Sequence, residues 1–348
     1  MMSEYTTPES LAALSVIDPE IESLVLATPS TPNRESTIED IRNASAGSAV
    51  RIIGNVSRSQ VQKIPMRDGY ASEIRIYRPE NPRPREQTPL VVLIYGGGFI
   101  LGDNKQLNAY ARAISTLFGA TVVSISYRLA PEYKFPIAAY DCWDSLCWIA
   151  KHAAEMGADP TTGFILGGVS AGGNLAAVTG QKSIAERFHP PLTGLWLGIP
   201  FILDETIVPA MYKSLFVSRV QNREALILNG DSVRNTYDLV GFDVLSPDFS
   251  PFNFPGAHIG MPPTYFQVAG ADPLRDDGLI YERVLREHGV PTRLSVYPGG
   301  PHGHYSAWPD AEISRKWDFD VIDAFGWLLG RSVNPSSIRK ARDERNCP

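Results

Sequence analysis

Residues 163–178 read GFILGGVSAGGNLAAV: an apolar run, a turn of small residues around Ser170, then a segment with the composition of a helix. A short continuous apolar run before such a turn indicates a buried strand. Within the turn, Gly168-Val-Ser170-Ala-Gly172 matches the pattern G-x-S-x-G. At a tight strand-to-helix turn the serine is forced into a strained conformation, and its neighbours must be small because side chains there would collide. Ser170 then projects above the sheet edge over a helix N-terminus, which favours developing negative charge. The five-residue pattern alone also fits a glycine-rich turn with an N-capping serine. The strand before it and the helix after it favour a nucleophile.

Outward from this unit, short apolar runs alternate with helical periods. Before it come LVVLIY (90–95), a helix near 104–118, ATVVSIS (120–126) and a long helix near 137–156. After it come a helix from about 171 to 187, LTGLWLGIP (192–200), PTYFQVAG (263–270), a helix near 277–288, RLSVYPG (293–299) and a last helix near 311–330. The pattern predicts an α/β fold with a mostly parallel central sheet and helices on both faces. The strand ends then share one edge, where ligands bind in such folds. Upstream, VQKIPM and ASEIRIY flank Arg67-Asp-Gly-Tyr70 and predict a hairpin. Two regions break the alternation. Residues 1–55 read as short helices with Pro/Thr/Ser punctuation and a capping-box pattern, Ser36-Thr-Ile-Glu39, and residues 203–245 read as helical and irregular. The expected organisation is an N-terminal helical region (1–55), a first core part (56–202), a helical insert (203–245), a second core part (246–330) and a charged tail (331–348) that reads as frayed.

A serine hydroxyl is a poor nucleophile and needs a base, which in turn needs an orienting acid. In this fold class the chain order is Ser, then Asp or Glu, then His, each at a strand end. Asp272 follows strand YFQVAG directly, and His302 follows RLSVYPG. Asp276 and Asp277 compete with Asp272, which lies closest to the strand end; the other two suit the start of the next helix. Of six histidines, at 152, 189, 258, 288, 302 and 304, two share this last loop. His302 is favoured over His304 because glycines on either side free its loop to turn the imidazole toward Ser170.

Acyl transfer also requires backbone N–H donors aimed at a developing oxyanion, each contributing about 3 kcal/mol. Ala171, after the nucleophile, supplies one. Gly96-Gly97-Gly98, following LVVLIY, supply a loop whose missing side chains let amides approach the substrate.

With these motifs in order, the sequence resembles the hormone-sensitive-lipase family of α/β-hydrolases, the HGGG or bacterial family IV esterases. The likeness covers most of residues 60–330 and includes YGGGFILGD, SYRLAPEYKFPIAAYD (126–141), GGVSAGGNLAA (167–177), ADPLRDDG (271–278) and His302-Gly303. The resemblance implies an α/β-hydrolase core with a helical cap built from the N-terminus and the insert. It implies Ser170, Asp272 and His302 as catalytic residues, with Gly97, Gly98 and Ala171 as oxyanion donors. The family usually has His where this chain has Tyr95, and Asp where it has Val169. Candidate substrate contacts are Phe99 beside the glycine loop, and Tyr212 and Phe216 in the insert. Tyr212 and Phe216, with Leu11, Leu14, Met211 and Leu215, equally suit ordinary cap packing. The family's preference implies short acyl esters, and family members often pair as homodimers through the last strand and helix.

A chain of 348 residues with net charge −6 and no dense Lys/Arg run carries no electrostatic footprint for nucleic acid or an anionic membrane. The start, MMSEYTTPESLAAL, lacks the basic and apolar regions of a signal peptide, and no run approaches the roughly 20 apolar residues of a membrane helix. Cys142, Cys147 and Cys347 have neither the count nor the spacing of a disulfide or zinc framework. A cytoplasmic serine carboxylesterase acting on small-molecule esters, with no metal or organic cofactor, is therefore expected. Rival readings are a natural-product tailoring enzyme (deacetylase, lactonase or cyclase) and a ligand-binding protein with a vestigial site.

Overall fold

The computed structural model describes residues 5–27, 42, 59–80, 84 and 88–338. Among them, one sheet runs in the order β1-β2-β4-β3-β5-β6-β7-β8. Its strands are β1 (Ser59–Pro65), β2 (Ala71–Tyr77), β3 (Leu90–Ile94), β4 (Thr121–Ile125), β5 (Phe164–Val169), β6 (Gly194–Gly198), β7 (Thr264–Ala271) and β8 (Thr292–Pro301). The expected hairpin is β1–β2, closed by Met66 N donating to Tyr70 O at 2.8 Å, and β2 pairs antiparallel with β4. Every other pairing is parallel.

The apolar runs are continuous because both faces are covered, while the side chains alternate between two cores. Leu90, Val92 and Ile94 of β3, Leu166 of β5 and Leu197 of β6 enter one core; Val91, Leu93, Ile165 and Trp196 enter the other. The first is covered by α4 (Ile137–Lys151), α5 (Ala171–Ala185) and α8 (Arg275–Glu287); the second by α3 (Asn108–Phe118) and α9 (Glu312–Leu328). Helix α5 is buried nearly all round, and its small residues allow the close approach. A Cβ on Gly180, for example, would lie 2.9 Å from Leu195.

Above the strand ends lie α1 (Pro8–Leu14), α2 (Pro19–Ala27), α6 (Ser218–Gln221) and α7 (Gly230–Val240). Helix α1 is capped reciprocally by Thr7 and Ser10, and its Leu11 and Leu14 pack on Val268 of β7 and Leu279 of α8. Three expectations change. The irregular β6–β7 connection does not end at 245: turns and a short 3-10 helix continue it until β7 begins at Thr264. The tail beyond 330 is not frayed where it is described, because Ile338 is buried in the second core and Arg331 hydrogen-bonds to Phe118 O. The helix expected near 104 starts at Asn108, after a turn in which Gln106 N donates to Asp103 O at 3.1 Å. The Ser36–Glu39 capping pattern and Cys347 lie outside the described residues.

Candidate active site

Strand β5 ends at Val169, and Ser170 adopts φ 55°, ψ −118° before α5 begins at Ala171. A non-glycine residue in such a region costs about 1–3 kcal/mol. Its backbone is held nonetheless: Ser170 N donates to Gly198 O at 2.8 Å, and Ser170 O accepts from Asn174 N at 3.0 Å. The flanking glycines are sterically required. A Cβ on Gly168 would lie 2.2 Å from Gly172 O, and one on Gly172 would lie 2.2 Å from Ile94 O and 2.3 Å from Tyr95 O.

Loops after β7 and β8 bring the other two groups to this turn. His302 Nε2 lies 2.9 Å from Ser170 Oγ, and His302 Nδ1 lies 2.7 Å from Asp272 Oδ2. Asp272 is fully buried; its Oδ1 accepts from Leu274 N at 2.8 Å, and Asn222 Nδ2 donates to its carbonyl at 2.8 Å. With a carboxylate on one imidazole nitrogen, the other is free to accept the serine proton. The competing residues serve elsewhere. His304 is buried with Nδ1 3.0 Å from Ser314 Oγ, and burial pushes its imidazole down to about 4. Asp276 Oδ2 accepts from Val217 N at 2.7 Å and Ser218 N at 2.6 Å, while Asp277 Oδ1 accepts from Ile202 N at 2.8 Å and Leu203 N at 2.9 Å. Both sit in the first turn of α8, as expected, and there they tie the insert to the core. Burial pushes Asp277 up to about 6 against the pull of Arg219.

The amides of Gly97, Gly98 and Ala171 donate to no acceptor among the described residues. Gly97 and Gly98 have φ of 132° and 60°, conformations that L side chains rarely adopt. A Cβ on the neighbouring Gly96 would approach Ser170 Cβ to 3.2 Å, so the glycine loop lies against the nucleophile. Tyr95 is buried, its ring stacked on Tyr127. Val169 is buried in the second core, and its side chain also borders the glycine loop: a Cβ on Gly96 would lie 3.3 Å from Val169 Cγ2.

The expected substrate contacts divide. Phe99 (φ 62°) is buried with its ring edge against Phe201 and Phe242. Phe216 is half-buried, with the Arg219 guanidinium 5.2 Å from its ring. Tyr212 is a correction: its hydroxyl bonds Glu287 at the end of α8, a helix length of about 18 Å from the end that follows Asp272. Met211 is exposed, and Leu11 and Leu14 are core residues. Sequence reading missed an aromatic cluster of Phe201, Tyr237, Phe242 and Phe249 around Phe99. It also missed Thr236 of α7, whose Oγ1 would lie 3.4 Å from a Cβ on Gly98. These residues have no shared periodicity; only Phe201, just after the end of β6, offered a signal by its position.

A family model described as alpha/beta hydrolase fold matches residues 91–306, from β3 through the His302 loop. The chain belongs to the α/β-hydrolase family. Carboxylesterase NlhH of Mycobacterium tuberculosis is 34% identical over 66% of this chain and 70% of its own length. Versiconal hemiacetal acetate esterase of Dothistroma septosporum is 30% identical over 74% and 78%. Among solved structures, vibralactone cyclase superposes with a TM-score of 0.85 at 30% identity, covering 91% of this chain and 96% of its own. This α/β-hydrolase is accordingly an esterase-type enzyme, a carboxylic-ester hydrolase of the hormone-sensitive-lipase-like branch. No described helix is long and apolar enough to cross a membrane.

Proposed function

We propose that the protein hydrolyses short-acyl esters of small molecules, acetyl esters for example, through an acyl-enzyme on Ser170. The observation that carries this reading is the continuous hydrogen-bonded chain Ser170–His302–Asp272 beside unpartnered loop amides. Ser170 Oγ attacks the ester carbonyl while His302 Nε2 takes its proton, and Asp272 holds the tautomer with the proton on Nδ1. Gly97, Gly98 and Ala171 amides receive the oxyanion. The intermediate collapses as His302 protonates the leaving alcohol; water then repeats the sequence and releases the acid. The aromatic cluster around Phe99 and the relative that acts on a hemiacetal acetate both favour a small acyl group on a larger apolar alcohol.

Ser170→Ala is expected to lower turnover of nitrophenyl acetate by at least about 10³-fold with an unchanged melting curve. It is also expected to abolish fluorophosphonate labelling; near-normal turnover in this variant sinks the mechanism. A second reading, intramolecular resolution of the acyl-enzyme to a lactone, is favoured by the likeness to vibralactone cyclase across the cap and core. Mass analysis of products from hydroxy-acyl esters separates free acid from lactone.

A further inference from the structure

An oxyanion donor helps only if its direction is held before charge develops. In a trans peptide the C=O and N–H point opposite ways, so whatever grips one residue's carbonyl aims the next residue's amide. For Gly98 the grip is local: Gly97 O accepts from Ile100 N at 3.0 Å and Leu101 N at 2.9 Å. For Gly97 it comes from a side chain. Gln106 Nε2 donates to Gly96 O at 3.3 Å while Gln106 Oε1 accepts from Gly96 N at 2.8 Å. Only one orientation of that amide satisfies both bonds. One peptide earlier, Tyr127 OH donates to Tyr95 O at 3.1 Å, and Tyr95 OH donates back to Tyr127 O at 3.1 Å. The two rings stack with centroids 4.3 Å apart and planes 13° from parallel. The same Tyr95 carbonyl abuts the nucleophile turn, where a Cβ on Gly172 would reach it at 2.3 Å.

We propose that Gln106 and Tyr127 are positioning residues of the oxyanion hole: Gln106 aims the Gly97 amide, and Tyr127 fixes the peptide on which that aim depends. Two successive peptide groups are thereby held, and the unbonded end of the second is the Gly97 N–H. Burial raises both phenols above their ordinary range, so the Tyr95–Tyr127 pair stays neutral where an esterase works. The inference rests on the esterase reading and on Gly97 as a donor.

The test uses the full chain with Gln106→Met, Gln106→Glu and Tyr127→Phe. Tyr281→Phe, which alters a buried phenol whose hydroxyl has no hydrogen-bond partner among the described residues, is the control. Measured are kcat and KM for nitrophenyl acetate and the affinity of a trifluoromethyl ketone, whose serine adduct carries the same oxyanion. Expected is a fall of about 10-fold in kcat with KM within about 2-fold, and a parallel fall in ketone affinity. In Gln106→Glu the carboxylate faces the Gly96 carbonyl. Its deficit relative to wild type should shrink as pH falls, because the protonated acid regains a donor, which a merely structural role would not produce. Tyr281→Phe should leave all three quantities unchanged. Gln106 is exposed, so its variants remain informative if Tyr127→Phe fails to fold. Folded Gln106 variants with unchanged kcat and ketone affinity, or with the whole loss in KM, overturn the proposal. Wild type that neither turns over ester nor labels with fluorophosphonate overturns the esterase reading beneath it.

Discussion

Val169, next to the nucleophile, shows how one position can depart from a family pattern without disturbing the turn. A carboxylate is usual there, but here the side chain is 1% exposed among apolar residues, and a Cβ built on Gly198 would meet its Cγ1 at 3.0 Å. Restoring the acid would place an unpaired charge where nothing solvates it. Val169→Asp is expected to lower unfolding free energy by about 3 kcal/mol in urea titrations, with activity falling as the folded fraction falls. Asp272 is the contrasting case: buried as completely, but matched by Leu274 N and His302. Asp272→Asn should retain the fold and KM yet reduce kcat by about 10⁴-fold at pH 7, because the amide favours the wrong imidazole tautomer. Stopped assays across pH with a melting-curve control test this.

At the scale of elements, the segment after Asp272 does more than begin a helix. Arg275 is fully buried and donates to Leu11 O and Ser15 Oγ at 2.8 Å, to Gln221 Oε1 at 2.7 Å and to Asp276 Oδ1 at 2.7 Å. Asp276 in turn holds the N-terminal end of α6. One ion pair therefore joins α1, α6 and the loop carrying Asp272. Arg275→Met should cost about 3–5 kcal/mol, since it strands a buried carboxylate and a carbonyl. Hydrogen exchange should accelerate in 8–18 and 217–222 more than in the sheet. The sequence placed Asp276 and Asp277 at a helix start correctly, because carboxylates in a first turn are a local rule. The backbone amides they accept from, Val217 and Ser218 for Asp276 and Ile202 and Leu203 for Asp277, lie 58 to 75 residues away, and no local pattern encodes them.

For the whole molecule, stability depends on histidines that burial keeps neutral. His258, packed against Phe252, Tyr281 and His288, and His304, against Tyr297 and Trp317, are each pushed down to about 4. At these two sites the unfolded chain takes up protons near pH 6.5 while the folded chain resists until about 4, so the stability they contribute is full above pH 6.5 and declines as pH falls, partly offset by Asp277, which burial makes take up its proton first in the folded chain. Each site can remove up to about 3 kcal/mol over that interval. Urea midpoints measured from pH 7 to 4 should drop, and His258→Phe should flatten the slope; an identical slope in that variant removes His258 from the account.

The same scale separates what each level of description decides. From sequence alone came the alternation of strands and helices, the strained serine turn, the Ser-Asp-His order and the glycine loop. Each rests on short local signals: continuous apolar runs, a turn that excludes Cβ atoms, amides that need bare backbone, and an Asp and a His each placed directly after a strand. Tertiary structure alone decided that Tyr212 serves Glu287, that Phe201 and Phe242 surround Phe99, and that Gln106 grips Gly96. Those contacts join irregular segments whose side chains follow no period, so their partners exist only once the sheet has brought the loops to one edge.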